Sequence, residues 1–294
     1  MAWTTEDRRR HAPAIQEVMR QGVLVRLAAA TDAIDPPARV GRPRLWPTLV
    51  MPQALRHVAR DDRAWRRLPS SSPPPRTVRS RSPPHRTVRS RSPPPRTVRS
   101  RLTRWQLRAV LDRALAVLVA CRRLAAGRKR RPTAAIVDAQ GATTGPQRGP
   151  RGYDAHKKVK GRKRVPLVDA QGDPLGVRVV SADVQDRDAL HALAPDLDAH
   201  ASLLLVWLDP GFAGDGPRAV LQACGVAPEI VGMVGRQGFR VEPRRWKVER
   251  TFGCLQRYRR SRVDDETSHQ TSRHMTLLAS LFMTGMRFER MLQP

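Results

Sequence analysis

Residues 161–183 read GRKRVPLVDAQGDPLGVRVVSAD, and this stretch decides the fold class. Two runs rich in valine and leucine flank the sequence Ala-Gln-Gly-Asp, a pattern that predicts two antiparallel strands joined in a hairpin. Pro166 lies in the first run. Because proline has no backbone N–H to donate to a sheet, we expect its strand to be an edge strand or irregular.

Two further apolar runs flank the hairpin. AAIVDAQ (134–140) and LLLVWLD (203–209) are typical of buried strands, and both runs reach a carboxylate, Asp138 or Asp209. Helical patterns cover residues 186–199 and about 216–224, a short strand is predicted at 229–233, and a long helical region begins near 246. Asp183, Asp186 and Asp188 are expected to cap and start the helix at 186. The order of strand, hairpin, helix, strand and helix predicts an α/β domain built on a mixed sheet.

The N-terminal part of the chain has a different character. Apolar spacing predicts helices over residues 13–30, about 50–60 and 102–124. The basic run at 128–131, followed by Pro132, is typical of a linker. We therefore expect a small, helical, basic region at 1–69, a helix and basic linker at 102–133, and an α/β domain over 134–294. The N-terminal region could contain a unit that resembles a helix-turn-helix motif, with no indication of which helix would enter a DNA groove.

Between these parts lies a segment whose sequence repeats every ten residues. Residues 70–101 repeat the unit RTVRSRSPPP almost exactly, and RTVRS recurs at 76–80, 86–90 and 96–100. The near-identity indicates a slipped duplication of a thirty-base unit. Proline and arginine bury too little apolar surface to order a chain, so the segment is predicted to be a disordered basic loop.

The charge of the chain indicates a polyanionic partner. Lys and Arg number 55 against 26 Asp and Glu, a formal net charge of +29, and 31 of the 55 basic residues lie within residues 1–133. Basic residues release condensed counterions from a phosphate backbone, which favours binding to DNA or RNA. The three cysteines have no metal-ligand spacing, and no apolar run suits a membrane span or a secretion signal. We therefore expect a soluble intracellular protein.

Three acids are candidates for chemistry. Asp138 and Asp209 end apolar strands, and in α/β sheets ligands bind at strand ends. Glu249 lies in RRWKVERTF (244–252), at a predicted helix start between basic residues. Three neighbouring carboxylates repel each other unless cations lie between them, and oxygen ligands suit Mg²⁺. The alternative is that both aspartates are turn formers and that Glu249 is an exposed helix charge.

Five longer stretches of the sequence resemble the DDE transposases of bacterial insertion sequences, specifically the IS-five group. The resembling stretches occur in the order of that family: IVDAQ (136–140), RGYDAHKKVKGRKR (151–164), LVDAQGDPLGVRVVSADVQDRDAL (167–190), WLDPGFAG (207–214) and RRWKVERTFGCLQRYRR (244–260). GRPR (41–44) and WRRLP (65–69) extend the resemblance upstream.

The resemblance implies an RNase H-like catalytic domain in which Asp138, Asp209 and Glu249 bind two Mg²⁺ or Mn²⁺ ions. Such a site activates a water that cleaves a phosphodiester at the transposon end, and then the freed 3′-hydroxyl for strand transfer into target DNA. The implied partners are terminal inverted repeats and target DNA. Joining two ends implies a homodimer, and the implied location is the bacterial cytoplasm at the nucleoid.

Basic residues beside the acids are candidates for DNA contacts. They are Arg245, Lys247 and Arg250 around Glu249, and Lys157, Lys158, Lys160, Arg162 and Lys163 at the entry to the hairpin. Arg245, one helical turn before Glu249, is the strongest of these candidates. The alternative for the second group is a solvated charged loop. An aromatic on an amphipathic helix is more often in the core than stacked on a base, so Trp246 is predicted to be buried.

Two other functions stay open from the residues. A decayed copy could bind DNA without cutting it, and the repeats and the departures from the family at Val165-Pro166, Phe212, Cys254 and Ser261 favour that reading. An RNA-associated Arg/Ser-rich protein would need paired aromatics on strands. Only 5 Phe, 6 Trp and 2 Tyr are scattered along the chain, which disfavours the RNA reading.

Overall fold

The computed structural model describes residues 22–36, 50–61, 95–146, 149–231 and 246–292. GRPR, WRRLP and the repeats as far as residue 94 lie outside these ranges. The described helices are α1 (22–34), α2 (Val50–Asp61), α3 (Pro95–Leu107), α4 (Val110–Ala125), α5 (Asp186–Ala189), α6 (Ala194–Asp198), α7 (Asp215–Ala223), α8 (Trp246–Leu255) and α9 (His269–Met291). The strands are β1 (Ala134–Val137), β2 (Gln140–Thr144), β3 (Gly152–Asp154), β4 (Val159–Asp169), β5 (Pro174–Ser181), β6 (Leu205–Leu208), β7 (Ala227–Ile230) and β8 (Val263–Asp264).

These strands form one mixed sheet, which confirms the predicted α/β class. The order is β7-β6-β1-β4-β2-β8, and β3 and β5 also pair with β4. The pairs β1–β6, β6–β7 and β2–β8 are parallel, whereas β4 runs antiparallel to β1, β2, β3 and β5. The predicted hairpin is β4–β5. Strands β2 and β3 were not predicted, because small, polar and glycine residues hide a strand from apolar patterning.

Pro166 lies at a gap in the pairing of β4 with β1 and β2, and the register is the same on both sides of this gap. Val137 pairs with Leu167 and Gln140 with Arg164, so Asp138 falls opposite Pro166 between β1 and β2. Because proline cannot donate a ladder hydrogen bond, the break between β1 and β2 occurs where the donor is missing. The irregularity expected at Pro166 is therefore present, as the gap between β1 and β2. The alternative expectation, that β4 is an edge strand, was wrong. β4 lies inside the sheet, between β1 and β5.

One hydrophobic core joins the described N-terminal helices to the sheet. It contains residues of α1 to α4, the central strands and α9, whose middle is almost wholly buried. α9 packs against α2, α4, α8 and β5. Helices of the N-terminal region and strands of the α/β domain thus bury each other's apolar faces. The shared core contains residues on both sides of the predicted domain boundary at residue 134. The division into domains therefore remains a prediction.

The last repeat departs from the predicted disorder. α3 begins at Pro95, so residues 95–101 are helical, which corrects the expectation for the end of the 70–101 segment. Val98, Leu102 and Trp105 of this helix are buried in the core. Their spacing places them on one helical face, and the last unit alone is followed by an apolar stretch. Proline at the first helical position also suits the start of a helix.

The predicted helix at 102–124 is two helices. Ala109 has a φ of 48°, a left-handed conformation that ends α3 and starts α4 in a new direction. Arg108, just before this break, donates to the buried carboxylate of Asp35 at 2.7 Å, and Arg104 donates to the same oxygen at 3.1 Å. The end of α1 is thereby tied to the end of α3. This long-range ion pairing is invisible in local sequence patterns.

Replacing Asp264 with alanine should destabilise the fold. Its Oδ1 accepts from Arg162 Nη1 at 2.9 Å, and both side chains are at most 2% exposed. Removing one partner of a buried pair leaves an uncompensated charge, so D264A should lower the free energy of unfolding by about 3–5 kcal/mol. Urea denaturation measures this loss. D188A, at an exposed aspartate of α5, is the matched control, and an equal small loss in both variants would contradict the role of the pair.

His274 should make stability fall at acid pH. The ring is buried and its Nδ1–H donates to the carbonyl oxygen of Gln270, while burial lowers the pKa of His274 below its usual value. Below about pH 6.5 the unfolded chain therefore binds a proton that the folded chain does not, and stability decreases. Urea midpoints at neutral and acid pH should show a smaller acid loss in H274Q than in the wild type. H156Q, at an exposed position, should keep the wild-type dependence.

Candidate active site

The two candidate aspartates lie side by side at one edge of the sheet. Val137 of β1 pairs with Leu208 of the parallel strand β6, and Asp138 and Asp209 are the next residues on each strand. Neighbouring strands lie about 4.8 Å apart, so the two backbones leave the sheet at adjacent points. Asp138 and Asp209 therefore follow neighbouring strands that run in the same direction and end at the same level.

Local hydrogen bonds orient both carboxylates. Oδ1 of Asp138 accepts from the backbone N–H of Ala139 at 2.7 Å, and Oδ1 of Asp209 accepts from Gly211 at 2.8 Å. Asp209 thereby caps the short 3₁₀ turn Pro210–Phe212, which the buried ring of Phe212 anchors in the core. These two hydrogen bonds fix the orientation of the carboxylates at the sheet edge.

Glu249 lies on α8, which packs on the sheet. Val248 and Phe252 contact Ile136 and Val168, and Trp207 packs against the same cluster. Lys247 donates to the carbonyl of Ala170, and Thr251 donates to that of Gly172 at 2.8 Å, so α8 is also fixed to the β4–β5 turn. Both polar contacts anchor the helix that carries Glu249 in its first turn.

The structure does not join the three acids into a metal cluster. Within the ranges that the structure describes, no group of three or more His, Cys, Asp or Glu side chains is arranged to hold a metal ion. The strand register brings Asp138 and Asp209 together. Glu249 follows the sheet-facing Val248 directly, on an exposed part of α8. The assignment of all three as ligands therefore stays a prediction.

Asp186 is a further acid at this edge that sequence reasoning placed only in a helix start. A Cβ atom built on Gly211 would lie 3.2 Å from Asp209 Oδ1 and 3.3 Å from Asp186 Oδ2. The two carboxylates therefore converge on the same point of the backbone, where glycine leaves room for them. The predicted helix start is confirmed, since Asp186 is the first residue of α5, but the capping residue is Gln185, so the expected aspartate cap was wrong. Nothing in local spacing could have shown its approach to Asp209.

Two lysines neutralise Asp186. Lys163 Nζ lies 2.6 Å from Oδ1 of this carboxylate, and Lys157 Nζ lies 3.6 Å from Oδ2. Lys157 also donates to the carbonyl of Ala139 at 3.3 Å, which links the end of β1 to α5. The backbone N–H of Lys157 donates to Asp154, and this bond, with the nearby lysine charges, lowers the pKa of Asp154. These groups line an open cavity of about 590 Å³ that reaches Gly211.

Two predicted DNA contacts are excluded by burial. Arg162 is 1% exposed and pairs with Asp264, and Lys163 is 3% exposed and donates to the carbonyl of Val184. β4 is an interior strand covered on both faces, so its basic side chains turn inward to buried acceptors. The prediction that Arg162 and Lys163 lie along DNA was wrong. Lys157, Lys158 and Lys160 precede this buried part and are exposed.

The basic residues around Glu249 differ in their exposure to solvent and in their partners. Arg250 is exposed, with its guanidinium carbon 5.5 Å from the ring centre of Trp246. Trp246 is 38% exposed, so the prediction that it is a core residue was wrong. Lys247 is partly buried by its bond to Ala170. Arg245, the strongest candidate from the sequence, lies outside the described residues.

The fold and the site define an α/β protein with a central mixed sheet and paired carboxylates at the ends of two parallel strands. Residues 129–228 match the family model described as a transposase DDE domain. The match runs from the basic segment before β1 into β7, so it includes Asp138 and Asp209 and ends before Glu249. No curated protein matches the chain. Among the described residues no helix has the length and apolar character needed to cross a membrane.

Lys163→Met should disturb the site edge through Asp186. The change leaves the half-buried carboxylate without its closest cation, and we expect it to lower the free energy of unfolding by about 2–4 kcal/mol. K163M/D186N should recover part of this loss, with a coupling energy above about 1 kcal/mol in a double-mutant cycle. K160M, the same change at an exposed lysine, is the control. Equal effects of K163M and K160M in urea denaturation would contradict the pairing.

Proposed function

We propose that this chain is a DDE transposase of the IS-five group that binds insertion-sequence ends and carries out metal-dependent DNA cleavage and strand transfer. The observation that carries the proposal is the pairing of β1 with β6, which sets Asp138 beside Asp209 inside the segment that matches a transposase DDE domain. Glu249 is the third acid, as the resemblance of RRWKVERTF implies. The chain would act on bacterial DNA, at the nucleoid.

The strand order supports an RNase H-like catalytic domain. Within the larger sheet, five strands have the order β5-β4-β1-β6-β7. In this set β4 pairs antiparallel with β5 and with β1, and β6 and β7 are parallel additions reached through helices. This arrangement leaves the end of β1 in the middle of the sheet. A strand end in that position can be approached by a long duplex from one edge.

The donor chemistry suits two hard divalent cations. Carboxylate oxygens of Asp138, Asp209 and Glu249 are ligands that Mg²⁺ and Mn²⁺ accept, and two of these side chains are adjacent by strand register. When bound, such ions lower the pKa of an attacking water and stabilise charge on the phosphate. The chain's own contribution is the orientation of its carboxylates by Ala139 N–H and Gly211 N–H.

Exposed cations flank this edge. Lys157, Lys158 and Lys160 are exposed at the entry to β4, and Arg250 is exposed next to Glu249. Phosphate contacts from lysine and arginine position a duplex without reading its sequence. We propose that these residues hold DNA across the carboxylate edge. Two chains acting together would bring two ends into one complex, so a homodimer is the expected assembly.

Strand cleavage on a labelled duplex that carries the element's inverted repeat tests the function. With Mg²⁺ or Mn²⁺ the wild type should nick the repeat end. D138A, D209A and E249A should each lose activity by at least about a hundredfold, because metal catalysis supplies several kcal/mol and 1.36 kcal/mol is tenfold in rate. D188A, an exposed aspartate outside the triad, should retain the wild-type rate.

The outcomes separate the proposal from its alternative. Loss in D138A and D209A with full activity in E249A would remove Glu249 from the site. Binding of the repeat without cleavage by the wild type would identify a copy that only binds DNA. The departures from the family and the unformed three-carboxylate group favour this alternative. In that case, deletion of two ten-residue repeats from the 70–101 segment, followed by the same assay, would show whether the expansion blocks activity.

A further inference from the structure

A second basic concavity lies away from the sheet edge, between the N-terminal helices and α8 and α9. Its volume is about 610 Å³. Six arginines line it: Arg56, Arg60, Arg250, Arg257, Arg287 and Arg290. No aspartate or glutamate is among the lining residues in the part of the chain that the structure describes. We call this concavity the arginine groove.

The arginine groove has an apolar floor below a charged rim. Phe282 and Met283 of α9 are buried at the floor, whereas Arg60, Arg257 and Arg290 are exposed. A cluster of like charges destabilises the fold that holds it unless a counter-charge binds nearby. Arginine presents a planar fork of donors that matches phosphate oxygens. The composition of the groove is therefore that of an anion site on an apolar base.

Not every arginine of the groove is available in the same way. Arg287 donates to the carbonyl oxygen of Gly172 at 2.7 Å, and its Nη1 lies 3.5 Å from Oδ1 of Asp173. Its guanidinium therefore already has partners within the fold. Tyr258 is also at the groove, and burial raises its pKa to about 12 even though Arg56 and Arg60 oppose this shift. Its phenol thus keeps its proton and can donate to an anion.

α8 connects the groove to the carboxylate edge. Residues advance by about 100° along a helix, so Val248 and Phe252 face one side of α8 while Arg250 faces nearly the opposite one. Val248 and Phe252 pack on the sheet, whereas Arg250 and Gly253 line the groove, together with Arg257 just after the end of α8. A Cβ atom at Gly253 would meet nothing within 4 Å, so the groove wall is open at this point. Glu249, between Val248 and Arg250 in the sequence, is rotated by about 100° from each of them around the helix axis.

We propose that the arginine groove binds the phosphate backbone of a DNA duplex as a second contact, which adjoins the carboxylate edge through Arg250. The inference rests on the proposed function, because it assigns the groove to the same DNA. One wall comes from α2 and the other from α8 and α9. Backbone phosphates in the groove would hold the N-terminal helices and the helix that carries Glu249 on one duplex. Phosphate contacts of this type carry no base sequence.

The salt dependence of binding by the full chain tests this proposal. R257Q/R290Q removes two exposed charges of the groove, and the slope of log K against log salt for a duplex should fall by about two. R113Q/R218Q removes two exposed arginines outside the groove and should leave the slope near that of the wild type. R257K/R290K keeps the charge and should retain most of the slope. Equal losses in the groove and control variants would overturn the proposal.

Further measurements distinguish a failure of the groove proposal from a failure of the proposed function and from misfolding of the variant. If the wild type binds DNA with a slope that depends on the groove arginines but does not cleave the duplex, the proposed enzyme is rejected and the groove is kept. Urea midpoints equal to that of the wild type would show that R257Q/R290Q is folded. If polyglutamate displaces DNA from the wild type as effectively as unlabelled duplex, at equal charge, the occupant is an acidic polypeptide and the DNA assignment is wrong.

Discussion

β4 is the strand on which the rest of the structure depends. Its 11 residues pair with four other strands, and its burial is nearly continuous from Gly161 to Asp169. The single register that it imposes on β1 and β2 puts Asp138 opposite Pro166. On the other side of β1, the parallel strand β6 sets Asp209 at the same level. The carboxylate edge is therefore a product of pairing between strands that lie far apart in the sequence.

Arginine has two roles in this chain, and only one of them favours DNA. Arg162 pairs with Asp264, Arg123 with Asp169 and Arg122 with Asp173, all with buried carboxylates. These pairs tie α4 and the C-terminal region to the β4–β5 hairpin. Breaking a buried pair is costly even when forming it adds little stability, so such arginines specify contacts rather than bind ligands. The net charge of +29 therefore overstates the surface available to phosphates.

α8 shows how one short helix can serve several tasks. Val248 and Phe252 hold it on the sheet, and Lys247 and Thr251 hold it on the β4–β5 turn. Its remaining surface carries Glu249 on one flank and Arg250 on another. Because the packed side fixes the rotation of the helix, the position of every outward side chain follows from apolar contacts. The proposed chemistry and the proposed DNA contacts would share this one support.

The sequence by itself determined the mixed α/β class, the β4–β5 hairpin and the strands that lead to Asp138 and Asp209. Apolar runs of strand length and a glycine-containing turn are local signals, so they can be read without a structure. The sequence could not show that Arg162 and Lys163 are buried, because a basic run looks the same whether it meets solvent or buried carboxylates. Only the tertiary structure placed Asp186 beside Asp209 and gathered arginines from α2, α8 and α9 around one groove. These placements depend on contacts between distant segments, and local spacing carries no record of them.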